Sequence, residues 1–189
     1  MKAAATSFIL ATVIFASSCI PSLNPLYTEQ DLTFDASLVG VWTEVETGET
    51  WALSKRDKLE YKVIHTDTDG LKGEFSARLV KLGDNFFLDI VPIKPGFTQN
   101  DFYKTRFFPT HTFVHIAIDR TGVKLSYMEP AWVADYLAEN PDAIRHEKIA
   151  GDIMLTSSSK ETQKFLLAHL NTRGAFSKPT ELTLKRGAQ

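Results

Sequence analysis

Cys19 is the residue whose type and position point most directly to chemistry. It is the only cysteine among 189 residues, so it cannot form a disulfide within the chain. It follows an uncharged apolar run, 3–16, which is preceded by Lys2. That run is shorter than the roughly 20 residues needed to cross a membrane, but it suits the hydrophobic region of a secretory signal peptide. The chain is therefore predicted to be exported, with its single thiol at the end of the signal peptide. An unpaired thiol is a liability in the oxidising compartment that the exported chain would enter.

The residues leading to the thiol resemble a known processing signal. Phe15-Ala16-Ser17-Ser18-Cys19 is similar to the lipobox of bacterial lipoproteins, with Ala16 where that family usually has leucine. The resemblance implies cleavage before Cys19 and a diacylglycerol on its sulfur, which would anchor the chain to membrane lipid. Ile20 follows the cysteine instead of the Asp that retains enteric lipoproteins at the inner membrane, which favours the outer membrane and a domain facing the periplasm or the exterior. The alternative is an ordinary signal peptide with an incidental cysteine.

Few other residues have a spacing that indicates chemistry. The chain lacks the Gly-x-Ser-x-Gly motif of serine hydrolases and a glycine-rich phosphate loop. Carboxylates are abundant, for example Asp67, Asp69, Asp84 and Asp89, and most of them lie in predicted turns, where they stabilise the turn. The histidines lack a cysteine or a third ligand at a metal-binding spacing; they are His65, His111, His115, His146 and His169. No catalytic residue, metal or cofactor is therefore predicted.

Alternating apolar and polar residues dominate the chain from 39 to 128. Seven short strands at regular spacing, separated by tight turns, indicate an antiparallel meander. The predicted fold class is mainly β (β-rich α+β), with the meander forming a barrel or a strongly curved sheet. Two short C-terminal helices follow, one after Pro130 and one behind a capping box at Ser158 and Glu161. Residues 152–156 are predicted to form a strand, and residues 183–185 an edge strand.

Three segments follow from these patterns: a lipoprotein signal peptide at 1–18, a lipid anchor and tether at 19–37, and a single β-rich domain at 38–186. The formal net charge of −2 argues against a nucleic-acid partner, which requires a basic face.

The first strand of the meander carries a second resemblance. Gly40-Val41-Trp42 is similar to the Gly-x-Trp motif of lipocalins and other calycins. The resemblance implies that Trp42 closes the base of a barrel that holds a small apolar ligand. The stretches 22–27 and 38–42 also resemble uncharacterised bacterial lipoproteins, which bring no assigned activity.

A long connection, 93–111, is the best candidate for a binding segment outside the anchor. Strand connections usually span about 2–5 residues, and longer ones often form lids or binding loops. This one is rich in aromatic residues: Phe97, Phe102, Tyr103, Phe107 and Phe108. These rings are expected either to plug an open end of the barrel or to form a ligand or partner surface.

The sequence thus favours a non-enzymatic lipoprotein of the bacterial cell envelope that binds an apolar small molecule, a lipid or an envelope protein. An accessory or assembly subunit of an envelope complex is one alternative. An envelope hydrolase is the other.

Overall fold

A computed structural model describes residues 19–93, 108–118 and 122–184. The strands within these residues are β1 (Leu32–Thr33), β2 (Gly40–Glu44), β3 (Thr50–Asp57), β4 (Glu60–Thr66), β5 (Lys72–Leu82), β6 (Asn85–Pro92), β7 (Thr112–Ile118), β8 (Val123–Tyr127), β9 (His146–Ile149), β10 (Asp152–Leu155) and β11 (Thr180–Leu184). The helices are α1 (Pro130–Glu139) and α2 (Ser159–His169). No helix within the described ranges is long and apolar enough to span a membrane.

Eight antiparallel strands close into a barrel, which confirms the predicted fold class. Strands β2 to β8 pair in chain order as a meander, and β11 lies between β2 and β8. Leu182 of β11 faces Glu44 on one side and Val123 on the other. The predicted strand at 183–185 is described as far as Leu184, where it is the end of β11. It is not an edge strand, because β11 pairs with β8 through 180–182 and with β2 through 182–184, which completes the ring.

The alternation of side chains along the strands produces two separate cores. Residues that point into the barrel form one core, in which Trp42, Tyr61 and Leu79 are almost fully buried. Residues that point outward from β5, β6 and β7 form the other core, centred on the fully buried Phe87. Both faces of these three strands therefore contribute apolar burial, which stabilises the fold by about 1.5–3 kcal/mol for each large side chain.

The outer core is covered by the two helices and the β9–β10 hairpin. Val133 on α1 and Phe165 on α2 belong to the same buried cluster as Phe87. Helix α1 begins with Pro130, and α2 begins with the predicted capping box between Ser158 and Glu161. Hydrogen bonds from Ser158, together with those from Arg145, lower the pKa of Glu161 to about 2, so this cap is charged at neutral pH.

The segment between Cys19 and the barrel packs tightly against the outer core. Leu26 is fully buried, and Ser22 forms backbone bridges to His111 and Leu155. Even Ile20 is only 9 % exposed. Within the expected tether at 19–37, Ile20 and Leu26 are therefore packed in the outer core, whereas Leu23 is 52 % exposed.

Candidate ligand-binding cavity

One end of the barrel is packed, and Gly40 and Trp42 lie there. The Trp42 indole is 6 % exposed, and its Nε1–H donates to the carbonyl oxygen of Leu38 at 2.9 Å. Gly40 has a φ of 153°, and a Cβ at this position would lie 2.7 Å from a Leu184 side-chain atom. A larger residue would be both strained and crowded here. Phe34 stacks on Tyr61 at a centroid distance of 4.6 Å, which adds to the filling of this end.

The other end of the barrel contains a cavity of about 750 Å³. We call it the barrel cavity. Strands from every side of the ring contribute to its wall, and the apolar contributors are Trp51, Phe75, Ile90, Pro92, Val114 and Tyr127. Its polar contributors are Glu44, Thr47, Glu49, His65, Thr112, Ser177, Lys178 and Thr180, and Cys19 also lies against it. The barrel is therefore filled by side chains at one end and hollow at the other.

The polar wall of the barrel cavity is organised around Trp51. Its Nε1–H donates to Glu44 Oε1 at 2.9 Å, and its ring lies 4.5 Å from the His65 ring. Tyr127 lines the same cavity. The pKa of its hydroxyl is raised mainly by burial, and the nearby acidic groups, such as Glu44 and Glu49, raise it further. Tyr127 therefore remains a neutral hydrogen-bonding group at neutral pH.

Cys19 is the first described residue, and it lies beside the barrel cavity and beside a second cavity. The second cavity, of about 420 Å³, lies between the start of the chain, α1 and the β10 strand, and it is lined by residues such as Ala134 and Ile153. Burial raises the pKa of the Cys19 thiol. A protonated thiol is a weaker nucleophile than a thiolate.

Most of the predicted aromatic binding segment lies outside the described residues, namely Phe97, Phe102, Tyr103 and Phe107. Phe108 is described, and its side chain is 77 % exposed. The strand residues that precede and follow the segment, Pro92 and Thr112, line the barrel cavity. Pro92 and Thr112 therefore both lie at the hollow end of the barrel.

A carboxylate–histidine pair on the outer face of the barrel was missed at the sequence level. Asp89 is 2 % exposed in the middle of β6 and is not in a turn. Its Oδ1 lies 2.6 Å from His111 Nδ1, and its Oδ2 accepts the backbone N–H of Leu26 at 2.8 Å. His111 and Asp89 correspond to the last two members of a Ser-His-Asp triad. Asp89, however, uses its second oxygen to bind the backbone of Leu26, in the segment between Cys19 and the barrel, which we call the lead-in segment. A structural role accounts for both contacts.

The remaining histidines pack among aromatic rings or at the surface. His115 lies 5.2 Å from the Phe87 ring, and burial lowers its pKa. His169 lies 4.7 Å from the rings of both Tyr136 and Phe165, and burial lowers its pKa as well. His146 Nδ1 is 2.9 Å from the carbonyl oxygen of Ile144. These three are therefore packing or surface residues, whereas His65 alone lies in the barrel cavity.

Comparison of the chain with protein-family models, with curated proteins and with solved structures gave no match. The functional conclusions below therefore depend on the geometry of the chain itself.

Proposed function

We propose that this chain is a membrane-anchored bacterial lipoprotein that binds an apolar small molecule or the acyl part of a lipid in the barrel cavity, without catalysing a reaction. The main support for the proposal is the barrel cavity, which has a volume of about 750 Å³ at one end of a barrel whose other end is packed. Ligand-binding cavities in proteins usually measure about 300–1,000 Å³ and have mostly apolar walls.

The composition of the wall supports an apolar ligand. Trp51, Phe75, Ile90 and Val114 come from four different strands and line the same space. An apolar molecule that leaves water for this space gains roughly 25 cal/mol for each Å² of buried apolar surface. The two carboxylates of the lining and the His65 imidazole lie on the wall around Trp51, so they can orient a ligand that has one polar end.

The position of Cys19 supports a supply of such ligands from a membrane. Lipidation of Cys19 would place a diacylglycerol beside the barrel cavity, because Cys19 lies against that cavity. The following residues are docked on the domain, with Ser22 fully buried. The hollow end would thus be held near the bilayer, from which acyl chains can reach it.

An envelope protein is the second candidate partner, and Phe108 favours it. Its side chain is 77 % exposed, four residues before Thr112 of the cavity wall, and exposed aromatic residues are enriched at protein interfaces. An accessory role in an envelope complex would use this surface and leave the barrel cavity unused. The following test separates the two.

Titration with cis-parinaric acid, a fluorescent fatty acid, tests the barrel cavity. The full chain is expected to bind it with a Kd on the order of micromolar, as an apolar ligand in a cavity of this size should. Ile90→Trp adds bulk to the cavity wall and is expected to weaken binding at least about tenfold, since each 1.4 kcal/mol changes Kd tenfold. The matched control is Ile64→Trp. Ile64 alternates with the inward-facing Val63 and His65 on β4, so its side chain points to the outside of the barrel, and this variant should bind the fatty acid as the parent does. Equal binding by both variants, or no binding by the parent, would rule out the cavity as an apolar ligand site.

Metabolic labelling with a palmitate analogue tests the anchor independently. The label is expected on the chain and should be lost in Cys19→Ala, because the thiol is the only one available for the lipid. Ser18→Ala keeps a small residue before the cysteine, and it should retain the label. Label that persists in Cys19→Ala would overturn the lipoprotein assignment, while the fatty-acid titration would remain valid.

A further inference from the structure

Three side chains with metal-binding atoms converge on the polar wall of the barrel cavity. One donor atom from each of Glu44, Glu49 and His65 lies within 4.8 Å of the other two. All three side chains are partly or largely shielded from solvent, with Glu44 9 % exposed and the side chains of His65 and Glu49 24 % and 25 % exposed. The cluster lies inside a cavity large enough for a ligand, unlike an ordinary acidic patch on a convex surface.

The barrel scaffold fixes this convergence. A tight turn joins β2 to β3, and the Glu44 N–H donates to the Glu49 carbonyl oxygen at 2.9 Å, which places the two glutamates opposite each other. Trp51 pairs directly with His65 across the β3–β4 ladder. Glu49 precedes Trp51 by two residues, so it approaches the imidazole along the same face of the sheet. The three donors thus come from three adjacent segments of a closed barrel.

Neighbouring groups orient the donors without using up their binding capacity. Glu44 Oε1 accepts from Trp51 Nε1 at 2.9 Å, and Oε2 accepts from Thr47 Oγ1 at 2.8 Å. Each carboxylate oxygen has a second lone pair, which remains for an ion. His65 Nε2 is 2.9 Å from Glu49 Oε2. Outer partners that hold ligating side chains in this way are typical of metal centres.

We propose that Glu44, Glu49 and His65 form a binding site for a divalent transition-metal ion, with Zn²⁺ as the best match. Zinc takes imidazole nitrogen and carboxylate oxygen at about 2.0–2.2 Å, so two of its donors lie roughly 3–4 Å apart. The observed spread of up to 4.8 Å closes to this value with small rotations of the glutamate side chains. The ion would replace the proton that joins His65 to Glu49, and its charge would neutralise the two carboxylates.

A site with three protein donors leaves room for a further ligand. All three side chains line the barrel cavity, so the remaining coordination positions would be filled by water or by a donor atom of a molecule in the cavity. The inference goes beyond the proposed apolar ligand and does not require it. It assigns a metal-ion site where the sequence pattern predicted none.

Isothermal titration with ZnCl₂ alone tests the inference. The protein is the full chain carrying Cys19→Ala in mild detergent, because the thiol lies against the same cavity and would compete for zinc. One zinc ion per chain is expected to bind. Glu49→Gln and His65→Gln should each weaken binding at least about tenfold, the lower limit found when even an outer partner of a metal site is lost.

Two controls keep the outcome clear. Glu46→Gln changes an exposed glutamate in the same turn and should leave zinc affinity unchanged. His111→Gln removes the other carboxylate-paired histidine and should also leave it unchanged. A second readout is the quenching of tryptophan fluorescence by Cu²⁺, which should be lost in Trp51→Phe because that ring is 4.5 Å from His65.

Either of two results would overturn the metal site. One is the absence of stoichiometric zinc binding by the parent chain. The other is equal binding by the parent, Glu49→Gln and His65→Gln. Urea unfolding checks that each variant is folded. Glu49→Gln is expected to fold like the parent, because glutamine has nearly the same side-chain volume as glutamate and can keep a hydrogen bond to His65. Zinc binding without parinaric acid binding, or the reverse, would separate this site from the proposed function.

Discussion

Replacement of Asp89 by alanine is expected to lower the free energy of unfolding by about 3 kcal/mol, because two groups inside the protein would lose their hydrogen-bond acceptor. The Asp89 side chain is fully buried, and both of its oxygens have partners. Alanine would leave His111 Nδ1 and the Leu26 N–H without their acceptor in the interior, and each such loss costs about 1–3 kcal/mol. Urea unfolding followed by circular dichroism measures the change.

Two variants identify the cause of this loss. Asp89→Asn keeps the shape, with one oxygen for Leu26 and an amide that can donate to a neutral His111, so it should cost less than Asp89→Ala. Asp135→Ala removes an exposed aspartate on α1 and should change stability by less than about 0.5 kcal/mol. In Asp89→Ala the Leu26 amide should also exchange with deuterium faster. If its exchange rate is unchanged, Asp89 does not hold the lead-in segment.

Gly122→Ala is expected to destabilise the barrel by about 3 kcal/mol, the upper part of the usual range for overpacking. A Cβ on Gly122 would lie 2.3 Å from the backbone carbonyl oxygen of Leu182. Leu182 is in the centre of β11, where a backbone shift would disturb the ladders with both β2 and β8. The barrel therefore cannot admit this methyl group without moving the strand that closes it.

Gly73→Ala provides the matched control for this effect. A Cβ on Gly73 would approach only the far edge of the Phe75 ring, at 2.8 Å, and a side chain can move aside at little cost. Urea unfolding should therefore show a loss below about 1 kcal/mol for Gly73→Ala. Similar losses for the two alanine variants would show that the contact between Gly122 and Leu182 is not a special constraint.

The sequence predicts where the strands and helices lie better than it predicts which strands pair with each other. Alternation of polar and apolar residues marks the meander, while Pro130 and Ser158 mark the helix starts, because each of these signals is local. The closing position of β11 depends on contacts with residues about 140 positions earlier, as between Thr183 and Thr43. A short terminal strand carries no local sign of whether it has one neighbour or two.

Contacts between distant residues also determine the candidate sites, so local sequence signals do not predict these sites. Glu44 and Glu49 approach His65 only through the register of two hairpins, which is not visible as a spacing motif. A usable signal did exist for Asp89. Residues 86–91 are apolar on both faces of the strand except at Asp89, and such a strand is buried on both faces. A carboxylate in its middle must be buried and therefore must have a partner.

The late position of β11 in the chain has a consequence for how the protein is made. Until residues 180–184 have been synthesised, β2 and β8 are two unpaired sheet edges, and exposed edges are templates for aggregation. Barrel closure is thus the last pairing step, and the cavity end cannot take its final shape earlier. A chain that folds while it is being synthesised would keep both edges open until residues 180–184 emerge, so these two edges need protection during that interval.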